Sequence, residues 1–241
     1  MNNPRTLLVD GDIVAYKAAT TAETPVDWGD GCWTLHATEQ DVIGSIKEFM
    51  EHLIESSGCA NVVTCLTGSK NYRKDIAPYY KENRTVKRKP MLLGFAKDYL
   101  HENYNGRLEE GIEADDLLGI LGSRSFDTVI WSIDKDLLTI PAFHLIDGTV
   151  QEVSPDEADY NFFYQTLVGD STDNYKGCPT VGPKKAEGLL NKKGSTWKTV
   201  VDAFASQGLS EAVALENARL ARILRDGEYD FETKEVKLWA A

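Results

Sequence analysis

The sequence predicts an α/β fold, a mostly parallel central sheet with helices on both faces, followed by a helical C-terminal region. Three observations carry this expectation. Short apolar runs of strand length alternate with longer segments of helical period, the pattern of βαβ units. Two of these runs empty into acidic triplets, Asp10-Gly11-Asp12 and Asp134-Lys135-Asp136, and ligands of such sheets gather at the carboxyl ends of the strands. Beyond Gln151 the chain changes to short helices with no further strong strand signal.

In chain order, Thr6 to Val9 reads as a buried strand, and a loop rich in Thr, Gly and Asp follows it. A long amphipathic helix is predicted from about Thr38 to Ser57, with Val42, Ile43, Ile46, Phe49, Met50, Leu53 and Ile54 as its buried stripe. Asn61 to Leu66 is a second strand, ending at Thr67-Gly68-Ser69. A basic stretch broken by Pro78 and Pro90 precedes a helix around Leu92 to Glu102. The helix opened by Glu113, Asp115 and Asp116 comes next, continued by Leu117, Leu118, Ile120 and Leu121 at helical spacing. Thr128 to Ile133 and Phe143 to Ile146 are further strands. Helices are expected over Asp156 to Val168, from Pro183 onward, over Trp197 to Ser206 and over Ser210 to Leu224, and the tail EYDFETKEVKLW reads as a hairpin.

Length and composition narrow the function. At 241 residues and 42% hydrophobic content the chain buries a full core. No run approaches the roughly 18 apolar residues of a membrane span, and Asn2-Asn3-Pro4-Arg5 leads straight into a strand, so a cytoplasmic protein is expected. Cys32, Cys59, Cys65 and Cys178 form no CxxC pair and stand apart from the four histidines, which indicates neither zinc nor a disulfide framework. The net charge is -12, yet Arg73, Lys74, Lys81, Arg84, Lys87, Arg88 and Lys89 face only Asp75 and Glu82 within their stretch. Such a run reads either as a solvated face or as one basic arm on an acidic body.

The acids carry the chemistry. One carboxylate suffices to cap a helix, whereas Glu113, Asp115 and Asp116 within four positions repel one another unless a cation sits among them. Asp134 with Asp136, and Asp170 with Asp173, have the spacing to act as further pairs, and Asp10 and Asp12 end the first strand. A surplus of Asp over His favours magnesium or manganese above zinc, and two such ions can clamp a phosphodiester. The turn from Gly177 to Ala186 offers backbone amides at a helix start beside Lys184 and Lys185, which suits a phosphate as well as it suits a plain turn.

The stretches LLVDGD, NYRKDIAPYYKENR, EGIEADDLLG, SIDKDLLTI and GDSTDNYKGCPTVGPKKA resemble those of the structure-specific 5′-nucleases, or flap endonucleases, in the family's order. The small size and the C-terminal ARILRDGEYDFETKEVKLW look most like the 5′ to 3′ exonucleases of short-tailed lytic phages. The resemblance implies a nuclease core over residues 1–150, with a basic helical arch at 70–90, and a helical DNA-binding region over 151–241. A helix-hairpin-helix-like motif is then expected at 169–190, often with a potassium ion.

The resemblance also implies a two-metal site. Asp10, Glu113 and Asp115 would hold the first ion, Asp134, Asp136, Asp170 and Asp173 the second, with Asp116 assisting nearby. Tyr80 would stack on a nucleobase, Lys81 would polarise the scissile phosphate and Arg84 would steady its charge. Arg73, Lys74, Lys87, Gly177, Gly182, Lys184 and Lys185 would contact DNA. One departure stands out, because many members carry an Asp just after the second strand, where this chain has Gly68.

The expected function is metal-dependent 5′ to 3′ exonucleolytic cleavage of duplex DNA, extending to flaps and to RNA primers in RNA–DNA hybrids, in phage replication or recombination. The alternatives are a dedicated flap endonuclease and, outside catalysis, a DNA-end binding protein disabled by Gly68. Oligomeric state leaves no mark in the sequence.

Overall fold

The computed structural model describes residues 5–86 and 88–241. From β1 (Thr6–Asp10) the chain passes directly into α1 (Gly11–Thr21), then through a hairpin of β2 (Thr24–Asp27) and β3 (Trp33–His36). The expected helix and strand follow as α2 (Glu39–Ser57) and β4 (Asn61–Thr67). The basic stretch holds a four-residue helix, α3 (Arg73–Ile76), and a 3-10 turn at Glu82–Val86. Next come α4 (Leu93–Asn103), β5 (Arg107–Glu109), α5 (Ala114–Arg124) and β6 (Thr128–Trp131). A second 3-10 turn at Lys135–Thr139 leads to β7 (Ala142–Ile146) and β8 (Thr149–Val153). The remainder is α6 (Pro155–Val168), α7 (Pro183–Lys193), α8 (Trp197–Ala205), α9 (Glu211–Ala221) and a hairpin of β9 (Tyr229–Asp230) with β10 (Glu235–Val236).

The central sheet has the order β5-β4-β1-β6-β7-β8, parallel throughout except for β8 at one edge. Helices cover both faces, as the sequence predicts. Leu7 and Val9 meet Val42, Ile46 and Met50 of α2 in one core, while Leu8 meets Leu117 and Ile120 of α5 in the other. Alternate residues of β1 thus serve opposite layers, which is why the strand reads as a continuous apolar run. A third core joins Phe162, Val200, Phe204, Ala214 and Leu220 of the C-terminal helices. Ile223, Leu224 and Tyr229 then return to pack with α5.

One expectation needs correction, and two edge strands have no counterpart in the sequence pattern. The segment after Asp12 is the helix α1 rather than a loop, and its buried stripe of Ala15, Ala18 and Ala19 is too small to stand out as an apolar pattern. Those small residues let α1 pack beside α2 and α4. β5 is a three-residue edge strand, too short to show a period. β8 pairs antiparallel with β7, and its half-exposed pattern lacks the apolar run that marks the inner strands.

Candidate active site at the carboxyl edge of the sheet

Seven carboxylates, Asp10, Asp12, Glu113, Asp115, Asp134, Asp136 and Asp173, line one cavity at the carboxyl edge of the sheet. Each is placed by local structure. Asp10 ends β1 and caps α1 by accepting from the Ile13 amide at 3.1 Å, while its other oxygen accepts from Ser132 Oγ at 2.8 Å. Glu113 caps α5 in a capping box with Asp116. Asp134 caps the turn at Lys135–Thr139 by accepting from the Asp136 amide at 2.9 Å. Chain topology brings these ends together because parallel strands all finish on the same edge.

The electrostatics show the cost of this crowding. Burial, reinforced by Asp12 and Asp134, pushes Asp10 up to about 6. Burial and Asp134 push Asp136 up to about 7. Asp115 is raised well above the carboxylate range by burial and by Asp10, Glu113 and Asp134. Glu113 behaves differently. Burial works to raise it, but the charges of Arg73 and Lys81 outweigh that and hold it below the usual value.

The cations of the basic stretch lie across the cavity. Lys81 Nζ is 2.5 Å from Glu113 Oε1 and 3.5 Å from Asp173 Oδ2, and Arg84 pairs with Asp173. Lys81 takes a left-handed backbone, φ 55°, which is uncommon for a residue with a side chain, and its amide is held by the Asp173 carbonyl at 3.0 Å. With these pairs formed, no three His, Cys, Asp or Glu among the described residues converge on one point at metal-ligand range. The donor set nevertheless fits a hard cation, being carboxylate oxygens crowded to the point of proton uptake.

Several predicted residues have other work. Asp116 is fully buried and receives both guanidinium nitrogens of Arg73 at 2.7 Å, together with the amides of Glu113 and Leu224 at 3.1 Å. It is a structural hub, not an ion ligand. Arg73, only 3% exposed, also donates to the carbonyls of Leu220 and Arg222, so it cannot contact DNA. Tyr80 is 2% exposed and its hydroxyl donates to Asp173 Oδ2 at 2.7 Å, which removes its ring from any base stack. Asp170 accepts from the Thr172 amide at 2.6 Å and pairs through its backbone with Tyr175, which fixes the turn that presents Asp173.

In the turn before α7, Gly177 is buried, and its amide is taken by Asn217 at 3.0 Å. A Cβ at Gly177 would lie 2.4 Å from the Gly169 nitrogen, so this glycine serves close backbone packing rather than phosphate contact. Gly182, Lys184 and Lys185 are exposed at the start of α7, and Lys74 is exposed on α3. Lys87 lies outside the described residues, as do Asn2, Asn3 and Pro4.

Gly68 acquires a physical explanation. A Cβ there would stand 2.7 Å from the Glu109 carbonyl oxygen, because β5 pairs against the end of β4. Gly68→Asp is therefore expected to lower stability by roughly 1 to 3 kcal/mol without adding a ligand, as denaturant unfolding would measure.

No family model matches the chain. The exodeoxyribonuclease of Enterobacteria phage T3 is 29% identical over 279 aligned residues, covering 97% of this chain and 92% of the relative. The exonuclease of Escherichia phage T7 is similar to the same extent, 29% over 97% and 92%. Nearly the whole chain is thus similar to phage-type 5′-nucleases. Its fold agrees. The zinc-bound T5 5′-exonuclease superposes with a TM-score of 0.66 at 17% identity, covering 90% of this chain and 89% of that one.

Within this nuclease, sequence reasoning overlooked four residues at the cavity. Thr67 accepts from the Ala114 amide at 2.9 Å and fixes the start of α5. Ser132 holds Asp10. Gln165 and Tyr175 also line the cavity. Ser132 and Tyr175 fall inside the stretches SIDKDLLTI and GDSTDNYKGCPTVGPKKA, but none of the four is an acid or a base, and no local spacing marks its role.

Proposed function

We propose that this nuclease is a metal-dependent 5′ to 3′ exonuclease that hydrolyses phosphodiesters at 5′ ends of duplex DNA in phage replication or recombination, within the host cytoplasm. The observation that carries the reading is the cavity of seven carboxylates facing Lys81 and Arg84. Asp10, Glu113 and Asp115 are assigned to one divalent ion, Mg2+ or Mn2+, and Asp134, Asp136 and Asp173 to a second. Bound there, the ions supply an activated water and offset the charge on the phosphate oxygens.

The chain's own groups do the rest. Lys81 and Arg84 exchange their carboxylate partners for the scissile phosphate, so the contacts that close the cavity are the contacts that receive the substrate. The acidic body, at net charge -12, repels DNA except where the basic stretch and the start of α7 offer Lys74, Lys184 and Lys185. A potassium ion at the turn before α7, cleavage of flaps and removal of RNA from hybrids belong to this proposal. No helix among the described residues is long and apolar enough to cross a membrane.

The test is cleavage of a 5′-labelled duplex with a short 5′ flap, in Mg2+, in Mn2+ and with chelator. Metal-dependent release of mononucleotides or short 5′ products is expected, and product length separates end from junction cleavage. Tight binding with no cleavage in either metal would overturn the proposal. Mg2+ uptake should also be pH-dependent. Asp10 and Asp136 hold protons at about 6 and about 7, and an ion must displace them, so affinity falls as pH drops from 8 to 6. Calorimetry in two buffers of different ionisation enthalpy should register the released protons.

A further inference from the structure

Among the described residues, three buried side-chain atoms have no hydrogen-bond partner, namely Gln165 Oε1, the Tyr175 hydroxyl and Arg225 Nε. The first two belong to residues that line the acidic cavity. A buried polar atom without a partner forfeits its hydration with nothing in return, so two of them at one wall need a reason. Tyr175 is 2% exposed and is held in place by the backbone pairing of its own residue with Asp170, 2.9 Å in each direction. The Gln165 carboxamide, carried by α6, hydrogen-bonds to Asp136 and draws its carboxyl down against burial. A carboxylate only accepts, so the amide nitrogen is the group turned to Asp136, and Oε1 is the group left for the cavity.

Two free acceptors beside Asp136 and Asp173 match one kind of guest. A magnesium-sized ion keeps several of its waters, and those waters point their hydrogens outward because the ion takes their lone pairs. They need acceptors at a second distance. Resting on the metal reading above, we propose that Gln165 Oε1 and the phenolic oxygen of Tyr175 accept from waters in the hydration shell of the divalent ion at Asp134, Asp136 and Asp173. Gln165 and Tyr175 are positioning residues that touch neither the ion nor the phosphate. They set how tightly the hydrated ion is held and where its waters lie. The sequence gives no hint of this, because neither residue is acidic and ten positions separate them.

The test is calorimetric titration of Mg2+ into the full chain without DNA, paired with thermal melts in chelator. Gln165→Leu and Tyr175→Phe should each weaken Mg2+ binding about tenfold, the lower end of what loss of such outer partners costs. Gln165→Glu, which keeps an acceptor, should bind at least as tightly as wild type. In chelator, Tyr175→Phe should melt at the wild-type temperature or above it, since it deletes an unpaired hydroxyl and keeps the ring. A lower melting temperature in chelator with unchanged Mg2+ affinity would mean that Tyr175 is packing alone, and would overturn this inference. Unchanged affinity in both Gln165→Leu and Tyr175→Phe would do the same while leaving the metal reading intact. Wild-type protein that takes up no Mg2+ would overturn the metal reading and this inference with it.

Discussion

Asp134→Asn should lower cleavage of a flapped duplex by about 10³-fold or more, the scale on which a single preorganised charge-stabilising group matters, while DNA binding stays near wild type. The substitution isolates charge from structure. Asp134 caps the turn at Lys135–Thr139 through an accepting oxygen, and Asn retains that oxygen. It also removes one negative charge that raises Asp10, Asp115 and Asp136. Melts in chelator should therefore show Asp134→Asn equal to or more stable than wild type. Cleavage at the normal rate would refute the role given to this carboxylate, and loss of activity with loss of stability would point to the turn instead.

Arg73→Ala is expected to cost about 3 to 5 kcal/mol of stability, the typical penalty for removing one partner of a buried ion pair. For a chain of this size that corresponds to a fall in Tm of roughly 10 °C. The reason is what remains behind. Asp116, with no exposure, would lose both guanidinium hydrogen bonds and stand as a buried charge. The carbonyls of Leu220 and Arg222 would lose donors, and Glu113 would lose one of the two cations that hold it ionised. Removing both charges by Arg73→Met with Asp116→Leu should recover much of the stability, since an apolar pair leaves no unpaired charge. Denaturant unfolding of the two variants decides the matter. A loss below 1 kcal/mol for Arg73→Ala would mean that Arg73 is effectively a surface cation, as its place in a basic stretch suggests.

These two residues mark how legible the site was. Asp134 was readable because it directly follows a strand whose apolar run identifies it, and the carboxyl ends of parallel strands share one edge. The same holds for Asp10. Arg73 and Tyr80 were readable as important but not in the right role. They sit in a polar, basic stretch, and nothing local says that one turn of it dips into the core. Asp116 meets Leu224 across 108 positions, and Arg73 meets Leu220 across 147. α1 was missed for a related reason, as alanines gain their burial from the helices that close over them.

The sequence by itself determined the order of the elements, the edge at which the acids collect and the basic character of the stretch that crosses them. Those properties follow from period, apolar content and charge, which are local. The tertiary structure alone decided which charges face the cavity and which brace it. Asp115 and Asp116 are neighbours of like charge, yet one lines the cavity while the other is neutralised by Arg73 behind it. Burial and partner choice separate them, and both are set by packing between segments more than a hundred residues apart.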